Sequence, residues 1–158
     1  MSRRYAGWQS RGVDDARPPS GPLLRQTVLD APDPRRLAEF YRALLGLDYR
    51  PGDAPPDGPG PDERGRTWLV LVDATGPVLA FQAAPGLPEP TWPQGPRPQM
   101  LHLDIEVASR EELDVQHGRV LELGGRLLDD RGHDPVEAVR VYADPAGHPF
   151  CLYVDAGS

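Results

Sequence analysis

The residues that decide the fold are LLRQTVLDAPDPRRLAEFYRALLGL at positions 23–47 and WLVLVDATGPVLAFQ at positions 68–82. Their pattern returns as MLHLDIEVASREELDVQHGRVLELGG at positions 100–125 and VRVYADPAGHPFCLY at positions 139–153. Each copy shows a strand pattern, an amphipathic helix pattern ending at glycine, and a run of strands whose last member follows a glycine. This order predicts an α+β protein in which helices cover one face of a curved sheet. Two copies of such a unit commonly enclose a site between them.

The first copy carries clear local signals for one helix. Residues 23–29 are the candidate for the strand before it. Asp33 is suited to the N-cap and Pro34 to the first helical position. Gly46 is expected to end the helix. After a loop rich in proline and glycine at 51–65, strands are expected at 68–72 and 78–82.

The second copy repeats this plan. Residues 100–107 predict its first strand, and Ser109 with Glu112 three positions later forms a capping-box pattern that starts a helix. The helix is expected to end at the glycine pair that begins at Gly124. Further strands are expected at 126–128, 138–143 and 149–154.

The repeat defines the domain plan. Residues 1–21 are expected to be a disordered leader, with docking through Tyr5 and Trp8 as the alternative. Residues 22–155 are expected to form a single domain. Its parts are a first module at about 22–84, a stiff, extended, Pro-rich linker at 85–98, and a second module at about 99–155.

Composition excludes several classes of function. The chain has 158 residues and a formal net charge of −7, which argues against a nucleic-acid partner. It contains no lysine and no asparagine, which is typical of a GC-rich, bacterial genome. A single cysteine, Cys151, fits a cytoplasmic location, and no apolar run is long enough to cross a membrane.

The strand at 100–107 has two different faces. Alternation places leucine, isoleucine and valine on one face and His102, Asp104 and Glu106 on the other. Shifting by the repeat puts Gln26 at the position of His102 in the first copy. In the last strands of the two copies, Ala80 corresponds to Cys151 and Gln82 to Tyr153.

These features resemble the vicinal oxygen chelate superfamily, which includes glyoxalase I, extradiol dioxygenases and the bleomycin and fosfomycin resistance proteins. The resemblance covers about residues 23–155. It is carried by Asp33-Pro34 with LAEFYRALLGL at 37–47, by His102 in LHLDIEV, and by Asp144-Pro145-Ala146-Gly147.

The resemblance implies two βαβββ modules whose sheets form a cup, with a divalent metal held by one residue from each of four strands. The corresponding positions here are Gln26, Ala80 (with Gln82 as the alternative), His102 and Cys151. Ala80 has no donor atom, and Cys151 stands where the family pattern has glutamate. Since hard divalent ions favour carboxylate oxygens, we expect no metal and no other cofactor, with a divalent metal as the alternative.

The resemblance and the repeat together give a set of candidate site residues. His102 is the candidate catalytic residue, with a polar pocket-lining role as the alternative. The candidate ligand contacts are Gln26, Gln82, His102, Asp104, Cys151 and Tyr153. Asp104 is placed to orient His102, and Cys151 can equally be a small buried residue.

Other histidines and aromatic residues receive structural or peripheral roles. His117 is expected in packing or at the surface, His133 in a loop that can cover the cup, and His148 on the helix side. Trp68, Phe81 and Phe150 are expected in the core. Trp92 covers either the pocket or a dimer partner.

Three functional hypotheses remain open. The first is a protein that binds a small organic molecule in the cup without the complete metal site. The second is an enzyme of lyase, isomerase or dioxygenase type, with a divergent metal site or a metal-free site that uses His102. The third is an accessory role in which the cup is vestigial. By analogy with the family we expect a homodimer, with no nucleic-acid or membrane partner.

Overall fold

A computed structural model describes residues 24–155 of the protein. The expected leader, with Tyr5 and Trp8, lies outside these described residues. The described elements are, in order, β1 (Thr27–Ala31), α1 (Pro34–Leu45), β2 (Asp48–Tyr49), β3 (Trp68–Asp73), β4 (Gly76–Ala83), β5 (Leu103–Glu106), α2 (Arg110–Glu122), β6 (Arg126–Arg131), β7 (Val139–Ala143) and β8 (Pro149–Tyr153). Within this part of the chain, no helix is long and apolar enough to cross a membrane.

The strands form two four-stranded sheets of the same topology, in the orders β1-β4-β3-β2 and β5-β8-β7-β6. In each sheet the first and last strands of the module pair in parallel, and the other neighbours are antiparallel. The chain therefore contains two βαβββ modules, as the resemblance implies.

Strand register confirms the predicted alignment of the two copies. Val28 lies opposite Ala80 in the first sheet, and Asp104 lies opposite Cys151 in the second. Counting back two residues from Val28 and from Asp104 makes Gln26 equivalent to His102. The pairing expected from the repeat is thus reproduced by the hydrogen-bonded ladders.

Helix α1 begins and ends where the sequence predicts. The Asp33 carboxylate accepts a hydrogen bond from the Arg36 backbone N–H at 3.0 Å, and Pro34 follows it in the first helical position. Gly46 stops the helix in the left-handed region at φ 66°, which favours glycine. Because α1 begins and ends at the predicted residues, the side chains that it turns toward the sheets are also determined.

One apolar core joins the two modules. Phe40 and Tyr41 of α1 contact Phe150 of the second sheet, and Tyr41 also stacks on Phe81 of the first. These four rings are almost completely buried. The expected core positions of Phe81 and Phe150 are therefore confirmed, and α1 serves both sheets.

Helix α2 contributes Leu113 and Val120 to the apolar core and also covers a buried charged residue. Arg140 of β7 is buried beneath it and donates to the Leu113 carbonyl at 3.2 Å. The same guanidinium contacts Asp114 at 2.7 Å and Asp130 at 2.9 Å. Strand register makes Arg140 equivalent to Leu69 of the first module, because each lies opposite the corresponding residue of the last strand. The two modules therefore share a topology but differ in how each holds its helix.

Several predicted strand boundaries were wrong. The first strand begins at Thr27 rather than at 23 and runs to Ala31, because its ladder with β4 extends that far. Strand β5 covers only Leu103–Glu106 of the predicted 100–107. Strand β6 runs to Arg131, beyond the predicted end at 128, because its polar residues hide the alternation. The two-residue strand β2 was not predicted.

The Pro-rich linker is not simply extended. The Thr91 backbone N–H donates to the Arg97 carbonyl at 2.7 Å, and the Arg97 N–H donates to the Thr91 hydroxyl at 2.9 Å. These bonds close a loop within the linker, so this part of the expectation was wrong. Glu89, before the loop, contacts Arg126 of the second module at 3.1 Å.

Candidate functional site

Each sheet has one face turned away from the shared core, which we call its open face. In the first module the open-face residues of the strands are Val28, Asp30, Trp68, Val70, Ala80 and Gln82. In the second module they include Asp104, Glu106, Val139, Val141, Cys151 and Tyr153. Gln26 and His102 immediately precede β1 and β5 and continue this alternation. All six predicted ligand contacts therefore fall on the open-face positions.

Three of these contacts converge in the second module. His102 and Asp104 are two residues apart on one side of β5, and Cys151 lies opposite Asp104 on β8. The His102 Nε2 is 3.3 Å from the Asp104 Oδ1. One ligand atom from each of the three side chains lies within 4.8 Å of the other two. We call this group the His-Asp-Cys triad.

The thiol of the triad is held in its neutral form. Burial raises the pKa of Cys151 to about 12, and the charge of Asp104 and a hydrogen bond to it act in the same direction. A thiolate is the reactive form of cysteine, so Cys151 is not an activated nucleophile in this environment.

The equivalent positions of the first module lack this chemistry. Register places Gln26, Val28 and Ala80 where the second module has His102, Asp104 and Cys151. Ala80 is fully buried and has no donor atom. Among the described residues, only the triad brings together three or more side chains of the histidine, cysteine, aspartate and glutamate types in an arrangement that could hold a metal.

The remaining predicted contacts lie around the triad or on the other sheet. Tyr153 is two residues beyond Cys151 on the same face of β8 and is opposite Glu106. Gln26 and Gln82 belong to the first sheet, where Gln82 is exposed. The structure thus brings together His102, Asp104 and Cys151, with Tyr153 as their neighbour.

Trp68 was predicted to lie in the core and does not. It lies directly opposite Gln82, so the two side chains share the open face, and Trp68 is half-buried there. The period-two alternation of WLVLVD could have shown this, because Leu69 and Leu71 take the core-facing positions. Trp68 therefore joins the candidate ligand contacts.

His148 has a structural environment. Its Nδ1 is 2.9 Å from the Asp144 Oδ2, and this fully buried carboxylate side chain also accepts a hydrogen bond from the Tyr41 hydroxyl at 2.9 Å. Burial acts against the charged imidazole, but the hydrogen bond and charge of Asp144 outweigh it and raise the pKa of His148. The expected position of His148 away from the open face agrees with these contacts.

The other two histidines also lie apart from the triad. The His117 Nδ1 is 3.0 Å from the Tyr142 hydroxyl beneath α2, so its expected packing role is confirmed. His133 lies in the turn after β6 and is exposed. Its expected role as a cover for the cup stays a prediction.

A shallow cleft lies on a different part of the surface, at the start of α1. Its lining residues are Pro32, Asp33, Arg36, Leu37, Pro145 and Ala146. The Arg36 N–H at this helix end already binds the Asp33 carboxylate. The cleft offers the Asp33 carboxylate and the Arg36 guanidinium but no histidine or cysteine.

The comparisons agree with this architecture. The sequence model of the glyoxalase-like domain matches residues 26–153. No curated protein matches the chain. The fosfomycin resistance protein FosX from Listeria monocytogenes superposes with a TM-score of 0.60 at 15% identity, over 87% of this chain and 96% of that chain.

Two further solved structures show the same fold. A glyoxalase/bleomycin resistance protein/dioxygenase family enzyme from Burkholderia phytofirmans PsJN has a TM-score of 0.58 at 14% identity, with 82% of this chain and 95% of that chain covered. A glyoxalase/bleomycin resistance protein from Albidiferax ferrireducens T118 has a TM-score of 0.54 at 19% identity, with coverages of 83% and 97%. At these identities the likeness establishes the fold.

The four positions that the resemblance assigns to a metal do not fit one. Ala80 contributes no ligand, and Gln26 contributes a neutral amide. His102 and Cys151 supply one imidazole and one thiol, so the set contains no carboxylate. Hard ions that prefer charged oxygen ligands are poorly served by these four residues.

Proposed function

The chain belongs to the glyoxalase-like domain family, and from this premise we propose that it binds a small organic molecule on the open faces of its sheets. In this proposal the binding does not use the four-ligand metal site that the resemblance implies. The main support is the His-Asp-Cys triad, which gathers an imidazole, a carboxylate and a thiol within 4.8 Å on one face of β5 and β8. A site of this kind commonly combines apolar walls with a few convergent polar groups.

The surroundings of the triad favour certain ligands. Val139 and Val141, which are 6% and 5% exposed, form the apolar floor of the same face, and Tyr153 adds an aromatic ring. Asp104 and Glu106 are carboxylates two residues apart, so a ligand that offers N–H or O–H donors is favoured over an anion. Because the Cys151 thiol is held neutral, the ligand is bound without a covalent bond.

The proposal can be tested with metabolites and antibiotics. A thermal-shift screen in the presence of EDTA identifies compounds that stabilise the protein, and calorimetry then measures their affinities. We expect His102→Ala to weaken the binding of such a compound by about tenfold, because the loss of one hydrogen bond costs about 1.4 kcal/mol. Glu122→Ala is the control, because it removes an exposed polar side chain at the end of α2. Equal affinities for both variants and the native protein would refute the proposed site.

A second candidate function is metal-free proton transfer by His102. The observation that favours it is the 3.3 Å contact between the His102 Nε2 and the Asp104 Oδ1. If Nε2 carries the proton and donates it to the carboxylate, Nδ1 is left with the lone pair that can accept a proton from a bound substrate. An isomerase or lyase reaction on an acidic C–H bond suits such a base.

This candidate predicts turnover of a bound compound in EDTA. His102→Ala should lower the rate by about 10²-fold or more, which is the lower end of the usual contribution of a general base. Asp104→Asn should lower the rate less, because it removes the orienting acceptor and leaves the base in place. Binding without turnover of any compound found in the screen would leave the first candidate and reject the second.

The pairing of chains is a further part of the proposal. We expect a homodimer by analogy with the family, and light scattering on the purified protein measures its mass. A monomer at all accessible concentrations would contradict this expectation.

A further inference from the structure

The open face of the first module, which we call the first-module face, carries apolar side chains that solvent can reach. Strand register forms it from two rows across β1, β4 and β3, namely Asp30, Gln82 and Trp68, and Val28, Ala80 and Val70. Val28 is 39% exposed and Trp68 is half-buried, whereas Val139 and Val141 of the second module are buried. Exposed apolar side chains that share one face are typical of a surface that binds a partner.

The leader, residues 1–21, joins the described chain beside this surface. Leu24 is 91% exposed and precedes β1 by three positions, and β1 is the outermost strand that carries Val28 and Asp30. Trp8 lies 16 positions before Leu24. That length of chain can span up to about 50 Å, whereas β1 and β3 are only about 10 Å apart. The leader is therefore long enough to cover the whole first-module face.

The leader and the rest of the chain have opposite net charges. The leader contains four arginines and two aspartates, a net charge of +2, so the remaining residues carry −9 and the whole chain −7. None of the six residues of the first-module face is basic, and Asp30 on it is exposed. The leader is therefore attracted to the rest of the chain, and Asp30 offers an arginine a carboxylate on this face.

The leader also contains two aromatic side chains, Tyr5 and Trp8, close to Arg3 and Arg4. Tyrosine, tryptophan and arginine are the residues that most often anchor protein interfaces. The rings match the apolar part of the first-module face, and the arginines match its carboxylate. The glyoxalase-like domain model begins at residue 26, so the leader lies outside the part of the chain that the family describes.

We propose that the leader binds the first-module face of the same chain. Its two aromatic rings pack on Val28 and Trp68, and one of its arginines pairs with Asp30. Because the leader is tethered, its effective concentration at this face is about millimolar, so a weak contact is sufficient. The leader then occupies part of the surface proposed for the ligand and opposes ligand binding. This regulatory role rests on the proposed function, whereas the contact itself does not.

Amide and indole chemical shifts of the full chain test the contact. We expect Trp8→Ala to change the shifts of Val28, Trp68 and their neighbours in β1, β3 and β4, because the Trp8 ring no longer lies on them. Gln9→Ala is the matched control at the adjacent position and should leave these shifts at their native values. Sodium chloride at about 1 M shortens the screening length to about 3 Å and should move the native shifts part of the way towards the Trp8→Ala values.

A synthetic peptide of residues 1–21 measures the strength of the contact. Added to the full-length Trp8→Ala protein, it should restore the native shifts of Val28 and Trp68. A peptide that carries the Trp8→Ala change should bind about tenfold more weakly or worse, because it lacks the larger aromatic anchor.

Unchanged shifts of Val28 and Trp68 in the Trp8→Ala protein would overturn the inference, as would changes confined to another surface. Native shifts that move to the Trp8→Ala values on dilution would assign the contact to the leader of a second copy, which also contradicts a contact within one chain.

The effect of the leader on ligand binding is measured separately. A compound found in the screen should bind the Trp8→Ala protein more tightly than the native protein, by about tenfold if the leader is bound in nine molecules of ten. Equal affinities would overturn the regulatory role, and the binding of the compound would leave the proposed function standing. Shift changes in Trp8→Ala without any compound that binds would support the contact while the proposed function fails.

Discussion

The hydrogen bond between Tyr41 and Asp144 provides the sharpest test of how the two modules are joined. The Tyr41 hydroxyl of α1 donates to the Asp144 Oδ2 of the second module at 2.9 Å. Tyr41 and the Asp144 side chain are each 0% exposed. Burial and the adjacent carboxylate raise the pKa of Tyr41 well above its usual value, so the phenol remains a donor. Tyr41→Phe removes this donor and keeps the aromatic ring in the core.

The expected loss of stability in Tyr41→Phe follows from the kind of hydrogen bond that is lost. A hydrogen bond to a charged group contributes about 1.5–3 kcal/mol, and a buried carboxylate deprived of one donor cannot recruit bulk water. The Ala146 and His148 backbone N–H groups still donate to the other oxygen of Asp144, at 2.9 and 3.0 Å. We therefore expect Tyr41→Phe to lower the free energy of unfolding by about 1.5–3 kcal/mol.

The matched control is Tyr49→Phe. The Tyr49 hydroxyl donates to the Glu39 Oε1 at 2.8 Å, but the Glu39 side chain is 40% exposed and can be hydrated when the bond is lost. A cost below about 1 kcal/mol is expected there. Urea unfolding of the two variants and the native protein measures both losses of stability, provided that the free energy of unfolding depends on urea concentration with the same slope in all three. A cost for Tyr41→Phe no greater than that for Tyr49→Phe would refute the reasoning.

Three further predictions concern other parts of the molecule. Gly147→Ala should lower the free energy of unfolding by about 1–3 kcal/mol, because the glycine has φ 95° and an added Cβ would lie 2.5 Å from the Glu89 Cγ. Thermal unfolding tests this prediction, and an unchanged melting midpoint would contradict it. Asp104→Asn should lower the pKa of Cys151 and speed its alkylation by iodoacetamide at mildly alkaline pH, since the Asp104 charge helps to raise that pKa. Equal alkylation rates in the variant and the native protein would argue against the contact between Asp104 and Cys151. The raised pKa of His148 means that the folded state binds its proton more tightly. This stabilisation is complete below the unfolded pKa of about 6.5 and is lost as pH rises through the folded value. The free energy of unfolding, measured across this pH range, should therefore fall more steeply in the native protein than in His148→Gln. Parallel pH profiles of the two proteins would contradict this contribution of His148.

Local signals allowed much of the fold to be predicted from the sequence. The ends of α1 follow from Asp33, Pro34 and Gly46, whose preferences act within a few residues. The register of the two sheets follows from the repeat, because Ala80 and Cys151 occupy the same place in equivalent ladders. Where the chain departs from its own repeat, the prediction was weaker.

The features that the sequence did not predict depend on contacts between distant residues. The buried Arg140 stands at the position of Leu69, and only the fold shows that Asp114 and Asp130 reach it. The loop within the linker depends on hydrogen bonds between Thr91 and Arg97, which composition does not predict.

In the candidate site, too, local patterns predicted part of the arrangement and contacts between distant residues determined the rest. Alternation placed His102 and Asp104 on one face, and the repeat placed Cys151 on the open side. The role of Asp104 as a direct neighbour of Cys151 required the parallel register of β5 with β8. Trp68 was assigned to the core from its residue type, although alternation along β3 places it opposite Gln82.

The central claim is that the open face of the second module binds the ligand. The most direct test is to map amide chemical shifts of the EDTA-treated protein during titration with a compound found in the screen. The account predicts that the largest changes fall on residues of β5 and β8 around His102 and Cys151. Changes confined to the cleft between Pro32 and Pro145, with those two strands unaffected, would contradict it.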